Sequence, residues 1–424
     1  MPTRLKVLIS AYACEPGKAS EPSVGWNVAL EMTAHHNVWV LTRSNNRASI
    51  EAELAQRPVP NLNFTYFDLP SWASWWKRGG RGLQVYYYLW QLGIFNVARH
   101  LHREVGFDVT NHLTFGKYWT PSLLAYLPVP FVWGPMGGGE SAPKAFWRDF
   151  SRSGRRYELL RDAARWLGEH DPLVRGTARR AAVAIASTPA TAARLVLLGA
   201  RNVQVYLQNG IRRDDPGADE SLGESFRGHP EHGLRFITIG RLIHWKGVHL
   251  GLRAFALADL AAEYWIVGDG PERARLEQLA ESLGISDRVR FFGSIPHEET
   301  LSRLSQADVL VHPSLHDQAP ATIFEAFAAG RPVICLGLGG PAVQVSDEVG
   351  IRVAAQSPEE AERGLAAAMR ELAQNESRRG AMAARARPYV YENFSWDEKV
   401  KVLSAFYLTA ANPAADPATR PTAR

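Results

Sequence analysis

In the second half of the chain, two cations and two carboxylates stand out by what they follow and how they are spaced. Arg241 and Lys246 lie in GRLIHWKG, directly after the apolar run RFITIG. A loop that leaves a parallel strand faces the crevice in which ligands bind. From such a loop both side chains can converge on one diphosphate, Arg as a planar fork and Lys as a point charge. Two solvated loop cations would look the same in sequence. Asp317 and Glu325 lie in HDQAPATIFEAFAAGRPVI, with seven residues between them and a proline among these, where the pattern predicts a short helix. An acid near a helix start needs only the helix dipole to account for it. A pair flanking that start can instead grip a polyhydroxylated ligand, one carboxylate to each cluster of hydroxyls.

Other stretches have weaker chemistry. GDGPER resembles the opening of a dinucleotide fingerprint, but Arg273 stands where a third glycine is needed and Pro271 intervenes. Its glycines read better as a strand-to-helix turn with Pro271 near the first helical position. VRFFGSIPHEE predicts a strand and a turn across Gly293–Pro296, so the backbone of Ser294 and Ile295 is open to hydrogen-bond a base edge. The run GGGES has no following Lys-Ser/Thr and is not a phosphate-binding P-loop. No Asp-x-Asp occurs anywhere in the chain. Proteins that bind a nucleotide diphosphate through a divalent ion usually offer such clustered oxygen ligands. Neutralisation by Arg241 and Lys246 is therefore expected, with no metal and no cofactor. Cys14 and Cys335 match no metal-ligand spacing and read as small buried apolar residues in a reducing compartment.

The elements that must position these groups alternate along the whole length. KVLIS, VWVLT, FTYF, DVTNHL, FVWG and AVAIAS read as strands in the first half, and RFITIG, EYWIVGDG, VRFFG, DVLVHP and PVICLG in the second. Apolar strands alternating with helical patterns imply parallel sheets covered on both faces. The polar, Gly/Pro/Asp-rich stretch within Asn209–Gly233 separates the two series. The expected class is α/β, with two doubly wound, Rossmann-like parallel-sheet domains facing a cleft. Their expected bounds are 1–210, a linker at 211–232, and 233–390, followed by a terminal helix at 391–411 and a disordered tail at 412–424. The length of 424 residues suits two cores better than one.

Composition narrows the function classes. Of the residues 46% are hydrophobic and 21% charged, with a formal net charge of +5. Much of the basic excess lies in RDFSRSGRRYELLRDAARW and VRGTARRAA, which read as solvated helix faces or as a surface for an anionic partner. No RNA-binding or zinc-finger signature occurs, so nucleic acid is not an expected partner. No window holds the roughly 18 apolar residues of a membrane span. The amino terminus reads as a first strand and not as a secretory signal, so a cytoplasmic protein is expected. Ser71–Phe95 is dense in aromatics among Lys77, Arg78 and Arg81. It reads as a core helix behind a glycine-rich loop, or as a peripheral contact with the inner membrane face.

The blocks GRLIHWKG, IVGDGPERARLE, VRFFGSIPHEE and ADVLVHPS, followed by an acid–seven residues–Glu motif before AFAAGRPVI, resemble the GT-B retaining glycosyltransferases of family 4. SEPSVGWNVALEMTAHHNVWVLTR is similar to the loop and helix that open that family's first domain, and NHLTFGKYWTPSLL and WGPMGGGESAP resemble an exopolysaccharide-type branch. The resemblance implies that Glu325 holds the ribose hydroxyls and that Asp317, in place of the family's Glu, faces the hydroxyls of the transferred sugar. It implies that amides of Ala321, Thr322 and Ile323 meet the diphosphate, as suits a helix N-terminus. Arg241 and Lys246 would neutralise the departing diphosphate. Gly25, lacking a Cβ, would let backbone approach the diphosphate. His112 matches a family histidine near the sugar and is a candidate catalytic group, and Glu140 is a candidate acceptor-binding group. The terminal helix would cross back to the first domain.

The expected activity is retaining, metal-independent transfer of a hexose from a UDP- or GDP-sugar to a glycan or lipid-linked glycan, in cell-surface polysaccharide synthesis. No nucleophile poised on the β-face is evident, so a front-face mechanism is expected, in which the departing phosphate helps deprotonate the incoming hydroxyl. The competing readings are a catalytically degenerate nucleotide-sugar-binding module, for which Asp317 is the one departure, and an NAD-dependent oxidoreductase, against which the missing glycine counts.

Overall fold

The computed structural model describes residues 4–18, 20–76, 82–212 and 233–412. Lys77, Arg78 and Arg81, nearly all of the linker, and the tail after 412 lie outside the described residues. The chain forms two compact units, each around one parallel sheet.

The first unit comprises Met1–Gly139, Asp162–Asn209 and Trp396–Arg424. Its strands are β1 (Lys6–Ser10), β2 (Asn37–Thr42), β3 (Leu62–Tyr66), β4 (Val109–His112), β5 (Phe131–Met136), β6 (Ala181–Ala186) and β7 (Val203–Val205). They pair in parallel in the order β3-β2-β1-β4-β5-β6-β7, so the order reverses between β1 and β4. Both faces of the sheet are covered, which is why its strands read as nearly continuous apolar runs. Val7 and Ile9 of β1 enter one core with residues of the helices Glu21–Met32 and Trp396–Ala411, which pack together. Leu8 enters the opposite core with Tyr86, Tyr87, Trp90 and Ile94, from the helix Leu83–Val105.

The second unit comprises Glu140–Arg161 and Gly210–Ser395. Its strands are β8 (Leu234–Ile239), β9 (Ala262–Val267), β10 (Val289–Gly293), β11 (Val309–His312), β12 (Val333–Leu336) and β13 (Gly350–Val353). Their order is β10-β9-β8-β11-β12-β13, again parallel, with the reversal between β8 and β11. The segment Glu140–Arg161, from the first half of the sequence, is built into this unit. Ala142, Phe146 and Phe150 are buried in its core beside Phe236, Leu242 and Phe255. Arg253 bridges Asp149 and Glu362, and Arg275 donates to the carbonyl of Asp149.

Ligands of doubly wound sheets bind beyond the carboxyl ends of the strands beside such a reversal. Those ends are β1 and β4 in the first unit and β8 and β11 in the second.

Candidate active site

Backbone contacts shape the carboxyl end of the second sheet. Gly240 follows β8 with φ +148°, and its N–H donates to Val267. The N–H of Leu242 donates to Asp269 and that of Gly268 to Gly293. A Cβ on Gly268 would stand 2.0 Å from the carbonyl oxygen of Gly240, and one on Gly270 2.4 Å from that of Leu242. The glycines of GDGPER are therefore occupied by the neighbouring loop, which accounts for them without a dinucleotide. A helix follows at Arg273–Ser282.

Arg241 is exposed, and its guanidinium makes no ion pair among the described residues. Lys246 closes a single 3-10 turn, His244–Lys246, and is half-buried. Thr238, Gly240, Arg241, Lys246, His312 and Pro313 line one small cleft there.

Lys246 does not stand alone in that cleft. Its Nζ donates to Asp317 Oδ2 at 2.7 Å, and His312 Nε2, at the end of β11, reaches the same oxygen at 2.9 Å. Burial works against ionisation of Asp317, but the Lys246 charge and the His312 hydrogen bond outweigh it and hold the carboxyl well below the usual range. Burial lowers the His312 pKa, so its ring is mainly neutral at pH 7, and a neutral ring bonded to a carboxylate carries its proton on Nε2. One oxygen of Asp317 is thus committed to two donors. Lys246 keeps two further N–H groups.

After this loop Pro320 caps the helix Ala321–Ala328. The first turn holds Ala321, Thr322 and Ile323, whose amides include those a helix leaves without intrahelical partners. Thr322 Oγ1 is buried without a hydrogen-bond partner in the described structure. Glu325 is half-buried on the same helix. Ser294 is exposed and Ile295 half-buried, directly after Gly293 of β10, which has φ +72°.

Glu140 belongs to this unit. It is 4% exposed, and its carbonyl accepts from Arg161 Nη2 at 2.6 Å. A Cβ on Gly339 would stand 2.4 Å from the Asp317 carbonyl oxygen and 3.4 Å from Glu140 Cγ. Glu140 therefore lies beside the Asp317 loop, among residues expected to hold a donor.

The other two expected residues lie in the first unit. Gly25 is buried inside the helix Glu21–Met32, and a Cβ there would stand 2.1 Å from the carbonyl oxygen of Ala13. The close approach that requires glycine is made by the chain's own loop after β1. Ala13 in turn bonds Thr114, two residues past His112. His112 ends β4 and is fully buried, its Nε2 3.0 Å from the Tyr87 hydroxyl. Its Nδ1 has no partner in the described structure, and burial lowers its pKa to about 4, so the ring is neutral at pH 7.

Sequence reasoning did not single out His312, Tyr87 or Glu158. Only His312 left a signal, since it closes β11 as His112 closes β4. Glu158 is fully buried in the second unit, and His244 Nε2 and His316 Nε2 both reach its Oε1 at 3.0 Å.

Residues 224–388 match the family described as glycosyl transferases group 1. The chain is 37% identical over 129 residues to 2-deoxystreptamine glucosyltransferase of Streptomyces kanamyceticus, covering 30% of this chain and 33% of that protein. It is 34% identical over 161 residues to the lipopolysaccharide core biosynthesis glycosyltransferase LpsE of Rhizobium meliloti, covering 38% and 45%. The chain thus spans between a third and about half of the length of these relatives. Among solved structures, Anabaena HepE in complex with UDP superposes with a TM-score of 0.60 at 17% identity, covering 95% of this chain and 100% of that one. That likeness, together with the two parallel sheets, gives the chain the GT-B fold. The match to the glycosyl transferases group 1 family spans residues 224–388, the part of the chain that holds Arg241, Lys246 and Asp317.

Proposed function

We propose that the protein transfers a hexose from a nucleotide diphosphate sugar, UDP- or GDP-linked, to a glycan or lipid-linked glycan, with retention of configuration. The observation that carries this reading is one constellation in the family-matched segment. Arg241, Lys246, Asp317 and the open first turn of the helix Ala321–Ala328 all follow strand ends of one sheet.

In this reading the exposed Arg241 and the two spare N–H groups of Lys246 meet the diphosphate and stabilise the charge that grows on it as the sugar departs. Amides of the first helical turn and the Thr322 hydroxyl add neutral donors to the same phosphates. Glu325 accepts from the ribose. The backbone of Ser294 and Ile295 meets the base. Asp317, anchored through Oδ2, offers its other oxygen to a sugar hydroxyl. His112, neutral in its buried setting, is the candidate histidine partner of the sugar, and Glu140 helps hold the acceptor.

The UDP complex of HepE supports the class of donor, and the lipopolysaccharide role named for LpsE supports a glycan acceptor. The 2-deoxystreptamine glucosyltransferase match makes a small cyclitol the competing acceptor. The test is calorimetry of wild type and Glu325→Ala against UDP-, GDP- and ADP-sugars in EDTA, followed by turnover with and without EDTA. Selective binding of one donor, lost in the variant, with turnover that survives EDTA, is expected. Loss of turnover in EDTA would refute metal-independent transfer. Donor binding without turnover on any acceptor would favour a nucleotide-sugar-binding module.

A further inference from the structure

We propose that Glu158 is a positioning residue that locks the loop carrying Arg241 and Lys246 to the loop carrying Asp317. The role in donor binding rests on the function proposed above, whereas the lock itself is drawn from geometry within the second unit.

The two loops run side by side and are joined at successive residues. The carbonyl oxygen of Trp245 accepts from Leu315 N–H at 2.8 Å and from Ser314 Oγ at 3.2 Å. Lys246 then bonds Asp317. His244 and His316 flank this pair of strands of chain, and Glu158 Oε1 receives the Nε2 atoms of both. The Trp245 ring lies between His316 and Tyr157, with centroids 5.1 Å and 4.9 Å away and 18° between planes in each case. Tyr157 and Glu158 are neighbours in sequence, so one point of the helix Arg152–His170 supplies both the ring that covers Trp245 and the carboxylate that joins the histidines.

The site is built to hold a charge. Glu158 is fully buried, and His244 and His316 are each 8% exposed. Burial works against its ionisation, but hydrogen bonds from the two histidines outweigh this and bring its pKa down to about 2. The helix also makes room for the arrangement, since a Cβ on Gly154 would stand 2.9 Å from Cγ of the His244 ring. One turn before the carboxylate, glycine leaves room for the imidazole beside the helix.

Neither histidine can offer its Nε2 to a ligand while it bonds Glu158. Their effect passes through their neighbours, Trp245–Lys246 on one side and Asp317 on the other. Arg241 and Lys246 must converge on one diphosphate, and an error of about 1 Å in such positioning can cost as much as a hundredfold in rate.

Two variants test the lock from opposite sides. Glu158→Gln keeps the shape and removes the charge, whereas Gly154→Ala keeps the charge and displaces His244. Hydrogen exchange at the Lys246 and Leu315 amides is read first, and then calorimetry with UDP, GDP or ADP against the matching monophosphate. Faster exchange at these amides is expected in both variants. Diphosphate affinity should fall by about ten- to a hundredfold, while monophosphate affinity changes much less, because the outer phosphate meets Arg241 and Lys246. Unchanged exchange in both variants would overturn the proposal. Equal weakening of diphosphate and monophosphate, with a lower melting temperature, would overturn it too, by showing only general destabilisation. Loosened loops in a protein whose wild type binds no diphosphate would uphold the lock and refute the donor reading. Should Glu158→Gln not fold, Gly154→Ala decides by both readouts.

Discussion

Asp317 has a ring partner and a chain partner on a single oxygen, and this changes what its substitution should do. In Asp317→Asn, Lys246 loses its counter-charge and the cleft becomes more positive. Nucleotide diphosphate should then bind as tightly as in wild type or up to about tenfold tighter, on the order of 1 kcal/mol at partly screened charges. On the proposed function turnover should fall by at least about tenfold, because a carboxylate facing the sugar would strengthen its hydrogen bonds as charge develops. Calorimetry with the diphosphate and initial rates with the sugar donor separate the two, and equal losses in both would contradict the arrangement. Lys246→Ala should act oppositely, weakening diphosphate binding and leaving Asp317 with His312 alone. The placing of Arg241, Lys246 and Asp317 after strand ends is legible in the sequence because charges just past the strands of a parallel sheet lie towards the crevice where ligands bind, whereas Glu325 sits further on, within the helix Ala321–Ala328. His312 is not, since one histidine in an apolar strand is usually structural. Only a comparison of the two strand series side by side aligns it with His112.

At the scale of elements, glycine and helix geometry account for what sequence conveyed and what it withheld. Gly25 reads as a position that admits a ligand, but the structure fills the space of its missing Cβ with the loop at Ala13 and Cys14. Gly25→Ala should therefore destabilise the first unit by roughly 1–3 kcal/mol, as overpacked buried sites do. A shift of the denaturation midpoint measures it, and a neutral substitution would show that the loop yields. The eleven strands read from sequence are those with strong apolar runs. The two missed, β7 and β13, are the short runs VQV and GIRV at one edge of each sheet, where few residues are buried on both faces. The Arg-rich helix Arg152–His170 read as a solvated face, yet Arg165 is 4% exposed and bonds the Tyr118 hydroxyl. Its pattern is not that of a simple amphipathic helix, because it serves both units, up to Arg161 in the second and from Asp162 in the first. Exposed Trp72 and Trp75 keep a peripheral membrane contact open to a vesicle-binding test, and no described helix is long and apolar enough to cross a membrane.

For the whole molecule, acid sensitivity follows from buried neutral histidines. Burial lowers the pKa of His36 and His112 to about 4 and of His249 to about 3, from an ordinary 6.5. The unfolded chain takes up these protons first, so stability is complete above about pH 6.5 and drains as pH falls towards the folded values. The loss has a ceiling of about 3 kcal/mol each for His36 and His112 and about 5 kcal/mol for His249. Glu158 extends it, draining between its ordinary 4.5 and about 2. Melting temperature should therefore decline from pH 7 to pH 5 and more steeply below. A flat profile would mean that water or an acidic partner reaches these rings in the folded protein. Sequence conveyed the two-sheet plan, because apolar runs repeat in two series, but it could not show which runs of chain assemble with which sheet.

The chain crosses between its units at residues 139–140, 161–162, 209–210 and 395–396, which has a consequence for how the protein is made. The ribosome delivers the residues of the first sheet early but the helix Trp396–Ala411, which buries one of its faces, only after the whole second sheet. Phe146 and Phe150 emerge well before the core that they complete. Neither unit can therefore finish folding as an isolated nascent domain, and dividing the gene near residue 210 would produce two fragments that each lack a piece held by the other. Residues 210–424 expressed alone should be insoluble, and co-expression with residues 1–209 should recover them. A soluble, cooperatively melting 210–424 fragment would show that the borrowed segment is dispensable.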